Sequence, residues 1–319
     1  MDIVLTLIIL CISIVGLYYG AIFLIKGAVI LAERLKISKM MIGLTVVAAG
    51  TSMPEFFVSF LGGLKGKTDI AVGNIVGSNI TNLSIVLGVA GLILPLNISK
   101  DVLKRDYPIV IFTSIVFVLL TTFDGIISRL DGIILFAMFL LYIYLYAKVF
   151  KVVDIKEVEE LEKEIGEIKP FKGFFEVILG VVLLYISSEA LIYSSVKISK
   201  IIGVSETVIG LSIVALGTSI PELFTSAIAA FKEEPEISLG NVIGSNFLNL
   251  TFILGLTSIV HPLPVGEDII KRDNFIMLFA YIIPIIPILR KKLGRIWSSL
   301  LALFYIIYII VIYKVIKIG

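Results

Sequence analysis

Gly50-Thr51-Ser52-Met53-Pro54-Glu55 lies inside an otherwise apolar run, residues 40–64. Such a run is long enough to cross a bilayer as a helix, which takes about 20 apolar residues. A carboxylate there is costly: insertion scales place a central Asp at about +2.5 to +3.5 kcal/mol. Pro54 has no backbone N–H, so the Gly50 carbonyl loses its partner four residues on, and the proline ring crowds that turn. One helical turn thus offers an acid, two hydroxyls (Thr51, Ser52) and freed carbonyl oxygens. All are hard oxygen donors of the kind Ca²⁺ prefers. Taken alone, the stretch also fits a kinked helix whose glutamate faces a neighbouring helix.

The stretch occurs twice. Residues 43–55, GLTVVAAGTSMPE, return as residues 210–222, GLSIVALGTSIPE. The same offset maps GNIVGSNITN (73–82) onto GNVIGSNFLN (240–249), and Lys104-Arg105-Asp106 onto Lys271-Arg272-Asp273. Three gapless matches at one offset mean duplication. A purely structural kink does not require two glutamates in register, so the repetition favours a shared chemical role.

Composition sets the class. The chain is 58% hydrophobic and 16% charged, with a mean hydropathy of +1.09, outside the range of ordinary soluble domains. It reads as a polytopic helical membrane protein, since backbone that meets lipid must satisfy its polar groups internally. The formal net charge of +2 comes without a basic, aromatic-interleaved tract, so no nucleic-acid partner is expected. Cys11 is the single cysteine and allows no intrachain disulfide; His261 is the single histidine and excludes a His-rich metal cluster. Residues 2–31 are apolar from the start, lack a basic leading segment and outrun a signal-peptide core, so they read as a first span. Lys26 and Glu33 fall near one end of it, where long side chains reach the interface.

The expected fold is an all-α polytopic protein of ten transmembrane helices in two inverted five-helix repeats. Residues 1–150 form the first repeat, 151–172 a charged connector, and 173–319 the second. The apolar runs are 3–31, 40–64, 70–96, 107–122 and 126–150, then 174–198, 207–231, 237–260, 275–289 and 296–313. An odd number of spans per repeat forces the second copy in upside down, a recurring transporter architecture with its site at the midplane. With both termini extracellular, the connector and the basic loops around Lys36, Lys104 and Lys291 become cytoplasmic, as the positive-inside rule requires. A multi-pass cell-membrane location follows.

Glu55 is about fifteen residues into its run, roughly 22 Å along a helix of 1.5 Å rise. Inversion brings Glu222 to a similar depth from the opposite side. Two bidentate carboxylates give four oxygens and two freed carbonyls make six, the lower end of calcium coordination. The GNxxGSN segments supply the opposite wall. Gly73 and Gly77, like Gly240 and Gly244, form a small-xxx-small face for close backbone approach. Ser78 and Asn82 share a helix face, as do Ser245 and Asn249, and turn neutral oxygens to the acids. For the asparagines, an interhelical hydrogen bond is the alternative.

At these residues the chain resembles the sodium/calcium exchanger branch of the cation/calcium exchanger superfamily, in its minimal prokaryotic-type form. The resemblance implies a secondary antiporter, not an enzyme, that swaps Na⁺ for Ca²⁺ by alternating access, electrogenically at three to one. It implies no cofactor beyond the transported ions, and a monomer in the bilayer. By resemblance, Glu55 and Glu222 bind Ca²⁺ with the Thr51 and Thr218 carbonyls. One sodium site uses the Ala48 carbonyl, Ser52, Glu55 and Ser245; its mirror uses the Ala215 carbonyl, Ser219, Glu222 and Ser78. Asn82 and Asn249 line the middle. The potassium-dependent branch carries Asp where this chain has Asn249, which implies K⁺ independence; the proton/calcium branch carries further acids. Those two branches remain the alternatives, with a passive cation channel as the rival from another class. A membrane-embedded hydrolase would show a second catalytic set, and none is visible.

Overall fold

The computed structural model describes residues 3–35, 37–149, 170–201 and 215–318. Most of the expected connector (150–169), and residues 202–214 with the start of the second repeated segment, lie outside the described residues. In chain order, α1 (Ile3–Leu35) leads to α2 (Lys39–Thr51) and α3 (Met53–Leu64), which meet at a bend of 50°. Thr68–Ile93 forms α4, Leu96–Asn97 β1, Val102–Asp124 α5, Ile126–Ile127 β2 and Arg129–Val149 α6. The second half runs α7 (Pro170–Ile201), α8 (Ala215–Gly217), α9 (Ile220–Phe231) and α10 (Pro235–Val260). It ends with β3 (Leu263–Pro264), α11 (Ile269–Leu289), β4 (Lys292–Leu293) and α12 (Arg295–Ile318).

Among the described residues eight helices are long and apolar enough to cross a membrane, or nine with α2 and α3 taken as one broken span. The run expected at 207–231 is described only from Ala215, as α8 and α9, and does not enter that count. Helix α4 has 26 residues, about 39 Å at 1.5 Å per residue, enough to cross a ~30 Å hydrocarbon core with tilt.

Some ends differ from the sequence expectation. Helices α5 and α11 begin at Val102 and Ile269, ahead of the Lys-Arg-Asp triplets that bounded the expected runs. The Arg and Asp charges are tolerated inside the helices because they are paired, and Lys104 is exposed. Arg105 Nε lies 2.6 Å from Asp106 Oδ1, with its guanidinium 4.5 Å from the Tyr146 ring centroid. Arg272 and Asp273 repeat the pair at 2.8 Å. The run expected from 126 becomes helical only at Arg129, because residues 126–127 form β2.

Two short antiparallel ladders tie the halves together. Leu96 and Asn97 pair with Leu293 and Lys292, and Ile126 and Ile127 pair with Pro264 and Leu263. Strands β1 and β3 are equivalent under the duplication offset, yet each pairs with the other half's later strand. At the centre stand α4 and α10, with 78% and 83% of their apolar windows buried, against 22% for α6 and α12. Ile75, Ile80, Val242 and Leu254 fill this core. Outward, Phe112, Leu130 and Leu303 present apolar surface, a liability in water and a lipid contact in a membrane.

Candidate metal centre

The repeated motif breaks its helix at the same residue in both copies. Ser52 (φ −81°, ψ 10°) separates α2 from α3, and Ser219 (φ −88°, ψ 8°) precedes α9 in the same conformation. Pro54 and Pro221 then occupy the first turn of the next helix, where a missing N–H leaves no bond unmade. Glu55 and Glu222 share those first turns, the end of a helix that favours negative charge. Both glutamates are 0% exposed.

The serines arrange themselves in a crossed pattern. Ser78, on α4 beside α3, donates to Glu55 Oε1 at 3.2 Å, and Ser245, on α10 beside α9, donates to Glu222 Oε1 at 3.3 Å. Ser52 reaches across to Glu222 Oε1 at 2.9 Å, while Ser219 reaches across to Glu55 Oε1 at 3.1 Å. Each carboxylate therefore accepts one hydroxyl from its own half and one from the other.

This distribution differs from the sodium grouping that the family resemblance implied. Ser52 and Ser245 converge on Glu222, not Glu55, and Ser219 and Ser78 converge on Glu55. The short α9–α10 and α3–α4 links place Ser245 and Ser78 beside the glutamate of their own hairpin. Ser52, at a helix break, points away from its own helix and toward the opposite half.

Behind the carboxylates a second set of bonds fixes the backbone. The Thr51 hydroxyl donates to Asn241 Oδ1 at 3.0 Å, and Thr218 donates to Asn74 Oδ1 at 3.1 Å. Asn74 Nδ2 donates to the Glu55 carbonyl at 3.4 Å and to Ser59 Oγ at 3.0 Å. Asn241 does the same to the Glu222 carbonyl at 3.4 Å and Ser226 Oγ at 2.9 Å. The Ala48 carbonyl accepts the Ser52 amide at 3.0 Å, whereas the Ser219 amide turns to Leu216 O at 3.1 Å, which leaves the two copies slightly different near Ala215.

Next to this layer four asparagines cross between α4 and α10. Asn79 Nδ2 and Asn246 Nδ2 each donate to the other's backbone carbonyl at 3.2 Å. Asn82 Nδ2 donates to Asn246 Oδ1 at 3.0 Å, and Asn249 Nδ2 to Asn79 Oδ1 at 2.9 Å. Asn82 and Asn249 each open a π-helical turn, Asn82–Val86 and Asn249–Ile253, a local widening frequent at functional sites.

Four oxygens of the glutamates and the crossing asparagines are left over. Glu55 Oε2, Glu222 Oε2, Asn82 Oδ1 and Asn249 Oδ1 are buried without a hydrogen-bond partner among the described residues. All four are acceptors, two of them on carboxylates. Burying an ion costs several kcal/mol unless it is compensated, and a cation is the compensation an all-oxygen set calls for. The donors are all oxygen, the set of a hard ion, and no group of three or more His, Cys, Asp or Glu that could hold a metal ion occurs among the described residues.

The small-residue face is seen on one side. A Cβ on Gly244 would lie 2.5 Å from Leu44 O, and one on Gly240 2.7 Å from Met40 O, so α2 and α10 touch through backbone. Around Gly77 no described atom comes within 4 Å of that position; the counterparts of Leu44 and Ala48 fall at 211 and 215. Thr81, without a polar counterpart in the second copy, donates to the Gly77 carbonyl within its own helix at 2.8 Å.

Five residues of the centre escaped the sequence reading: Asn74, Asn241, Asn79, Asn246 and Tyr281. The first four recur at the duplication offset inside apolar helices, a signal as strong as the one that found Ser78 and Ser245. Tyr281, whose hydroxyl accepts from Asn246 Nδ2 at 3.1 Å, has Ser114 as its counterpart and gave no such signal.

Comparison with known proteins adds four findings. A family profile described as "Sodium/calcium exchanger protein" matches residues 5–148 and 172–314. The sodium/calcium exchanger MaX1 of Methanosarcina acetivorans is 29% identical over 96% of this chain and 98% of its own length. The inner membrane protein YrbG of Escherichia coli is 30% identical over 83% of each chain. Among solved structures, the sodium-calcium exchanger NCX_Mj soaked with 2.5 mM Na⁺ and 0.1 mM Ca²⁺ superposes with a TM-score of 0.83 at 28% identity, covering 96% of this chain and 97% of that one.

Proposed function

This chain belongs to the sodium/calcium exchanger family, and from that premise we propose that it exchanges Na⁺ for Ca²⁺ across the cell membrane at a centre built by Glu55 and Glu222. The proposal rests on one observation, the crossed serine–carboxylate bonds with four orphaned oxygens, two on the acids and two on Asn82 and Asn249. A Ca²⁺ held between the two acids balances both charges, and the Thr51 and Thr218 carbonyls extend its oxygen shell toward the six to eight ligands this ion takes. Two flanking positions suit Na⁺. One lies by Glu222 with Ser52, Ser245 and the Ala48 carbonyl; the other lies by Glu55 with Ser219, Ser78 and the Ala215 carbonyl. Asn82 and Asn249 supply neutral oxygens between them.

Coupling follows from electrostatics. Ca²⁺ and Na⁺ compete for the same two carboxylates, and an empty pair is too costly to seal away from water. The unloaded protein therefore does not switch faces, and each ion crosses only in exchange for the other. Three Na⁺ for one Ca²⁺ makes the exchange electrogenic, and the amide at Asn249 removes the acid that would bring in K⁺.

The same proposal includes ten helices in two inverted repeats, residues 1–150 and 173–319, acting as a monomer with both termini outside. The crossed strand ladders support the inversion: 96–97 lies beside 292–293, while its duplicate 263–264 lies beside 126–127. An upright second copy would bring the duplicates to one face.

Uptake of ⁴⁵Ca²⁺ into proteoliposomes against imposed Na⁺, K⁺ and H⁺ gradients tests the function. Uptake driven by an outward Na⁺ gradient and indifferent to K⁺ is expected. A proton-driven flux, or one indifferent to every opposing ion, would contradict the proposal.

A further inference from the structure

Between α5 and α11 the surface opens into an apolar cleft of about 340 Å³, lined on one side from Leu103 through Tyr107 and Phe112 to Ile115 and on the other by Ile285 and Leu289. The second half creates it by breaking a helix. Helix α11 breaks after Ile282 at Pro284 and resumes as Ile285–Leu289, with Pro287 in its first turn, because a proline in a helix interior removes a hydrogen bond and kinks the chain. Its counterpart α5 runs unbroken from Tyr107 to Asp124. At the opposite end of the same helix pair, Asn274 donates to Thr121 at 2.9 Å and ties the helices together. Tyr107, the counterpart of Asn274, instead turns its hydroxyl inward to the Tyr281 carbonyl at 2.5 Å.

The cleft has the length of one leaflet. From Leu103 to Ile115 is about 18 Å at 1.5 Å per residue, against about 15 Å for half of a ~30 Å hydrocarbon core. Its Leu103–Leu289 end is basic: Lys104 follows one lining residue, and Arg290, Lys291 and Lys292 follow the other. All four are exposed, and none is paired with a carboxylate among the described residues. The two segments are held side by side by the β1–β4 ladder and by the Ile98 amide on the Lys291 carbonyl at 3.0 Å. Lys100 lies on the same link, and Asp101 is the one acid there. Basic side chains at the mouth of a gap between membrane helices are the groups that hold an anionic headgroup.

We propose that this cleft is a binding site for one anionic phospholipid, with an acyl chain between α5 and α11 and its phosphate held by Lys104 and the Arg290–Lys292 cluster. The site depends on the chain spanning a membrane, not on which ions it carries.

Native mass spectrometry of the full-length protein, purified with phosphatidylglycerol or phosphatidylcholine and then stripped of loose lipid, provides the test. One phosphatidylglycerol per chain should persist, and phosphatidylcholine should not. Arg290→Gln with Lys291→Gln removes two exposed charges and should lower retention about 30-fold. Ile285→Trp fills the cleft without touching charge and should lower it as much. A thermal melt of each variant reports whether it is folded. Equal retention of both lipids would reduce the cleft to ordinary annular contact. Retention that survives Ile285→Trp would leave only surface charge attraction, and retention that survives loss of the charges would exclude the anionic headgroup; either result overturns the proposal.

Discussion

In the carboxylate layer, Ser52 and Ser219 reach the opposite glutamate at 2.9 and 3.1 Å, and each serine–carboxylate bond has its duplicate in the other half. One layer away, the matching positions are Ser114 and Tyr281, and only Tyr281 is bonded to the asparagine cross, through Asn246 at 3.1 Å. The same divergence appears further out, where α11 carries two prolines and α5 stays whole. The duplicated halves thus stay alike at the serine–carboxylate bonds and the asparagine cross, and drift at positions 114 and 281 and in α11, which bond neither acid. Two carboxylates sharing one cation must balance each other; a bracing residue has to satisfy only its own neighbours.

The strongest way to break that comparison is at the acids. Glu55→Gln and Glu222→Gln should each cut Na⁺-driven Ca²⁺ uptake at least about 100-fold, the scale of the ~3–5 kcal/mol lost when one partner of a buried charge set is removed. If one of the two variants keeps full uptake, the halves are not equivalent. The helix contact comes next. Gly244→Ala drives a Cβ to 2.5 Å from Leu44 O and should cost about 1–3 kcal/mol, read as a lowered melting temperature. Gly77→Ala meets no described atom and should leave the melting temperature nearly unchanged; an equal loss there would remove the contrast between the two glycines.

Ser52→Ala and Ser219→Ala sharpen the symmetric layer. Each removes a hydroxyl donated to a charged group, worth about 1.5 kcal/mol, and should weaken Ca²⁺ dependence of uptake about tenfold and by equal amounts. The smallest effect belongs to the asymmetric layer. Tyr281→Phe keeps the ring and loses one neutral hydrogen bond, about 1 kcal/mol, so apparent ion affinity should fall roughly fivefold while Ser114→Ala leaves it nearly unchanged. Matching effects at 114 and 281 would show that the asymmetry has no energetic weight.

The membrane class and the repeated acids were legible in the sequence because each writes a pattern: long apolar runs, and polar residues recurring at one offset. Helix ends were less legible. Arg105 and Asp106 neutralise each other inside α5, and a reading that treats every charge as solvated stops short of them. The two-residue strands left no trace, since a ladder of two residues is set by its partner and not by its own composition. Which carboxylate each serine serves was equally hidden: Ser52 is three residues from Glu55 in sequence and bonds Glu222 in space. Tyr281 joined the centre through a contact that its counterpart, Ser114, gave no reason to expect.

Equilibrium binding of ⁴⁵Ca²⁺ to the purified protein tests the shared-cation centre most directly. One ion per chain is expected, displaced by Na⁺ and lost in either Glu55→Gln or Glu222→Gln. Two ions per wild-type chain, or one still bound after a single acid is neutralised, would mean that the carboxylates hold separate ions.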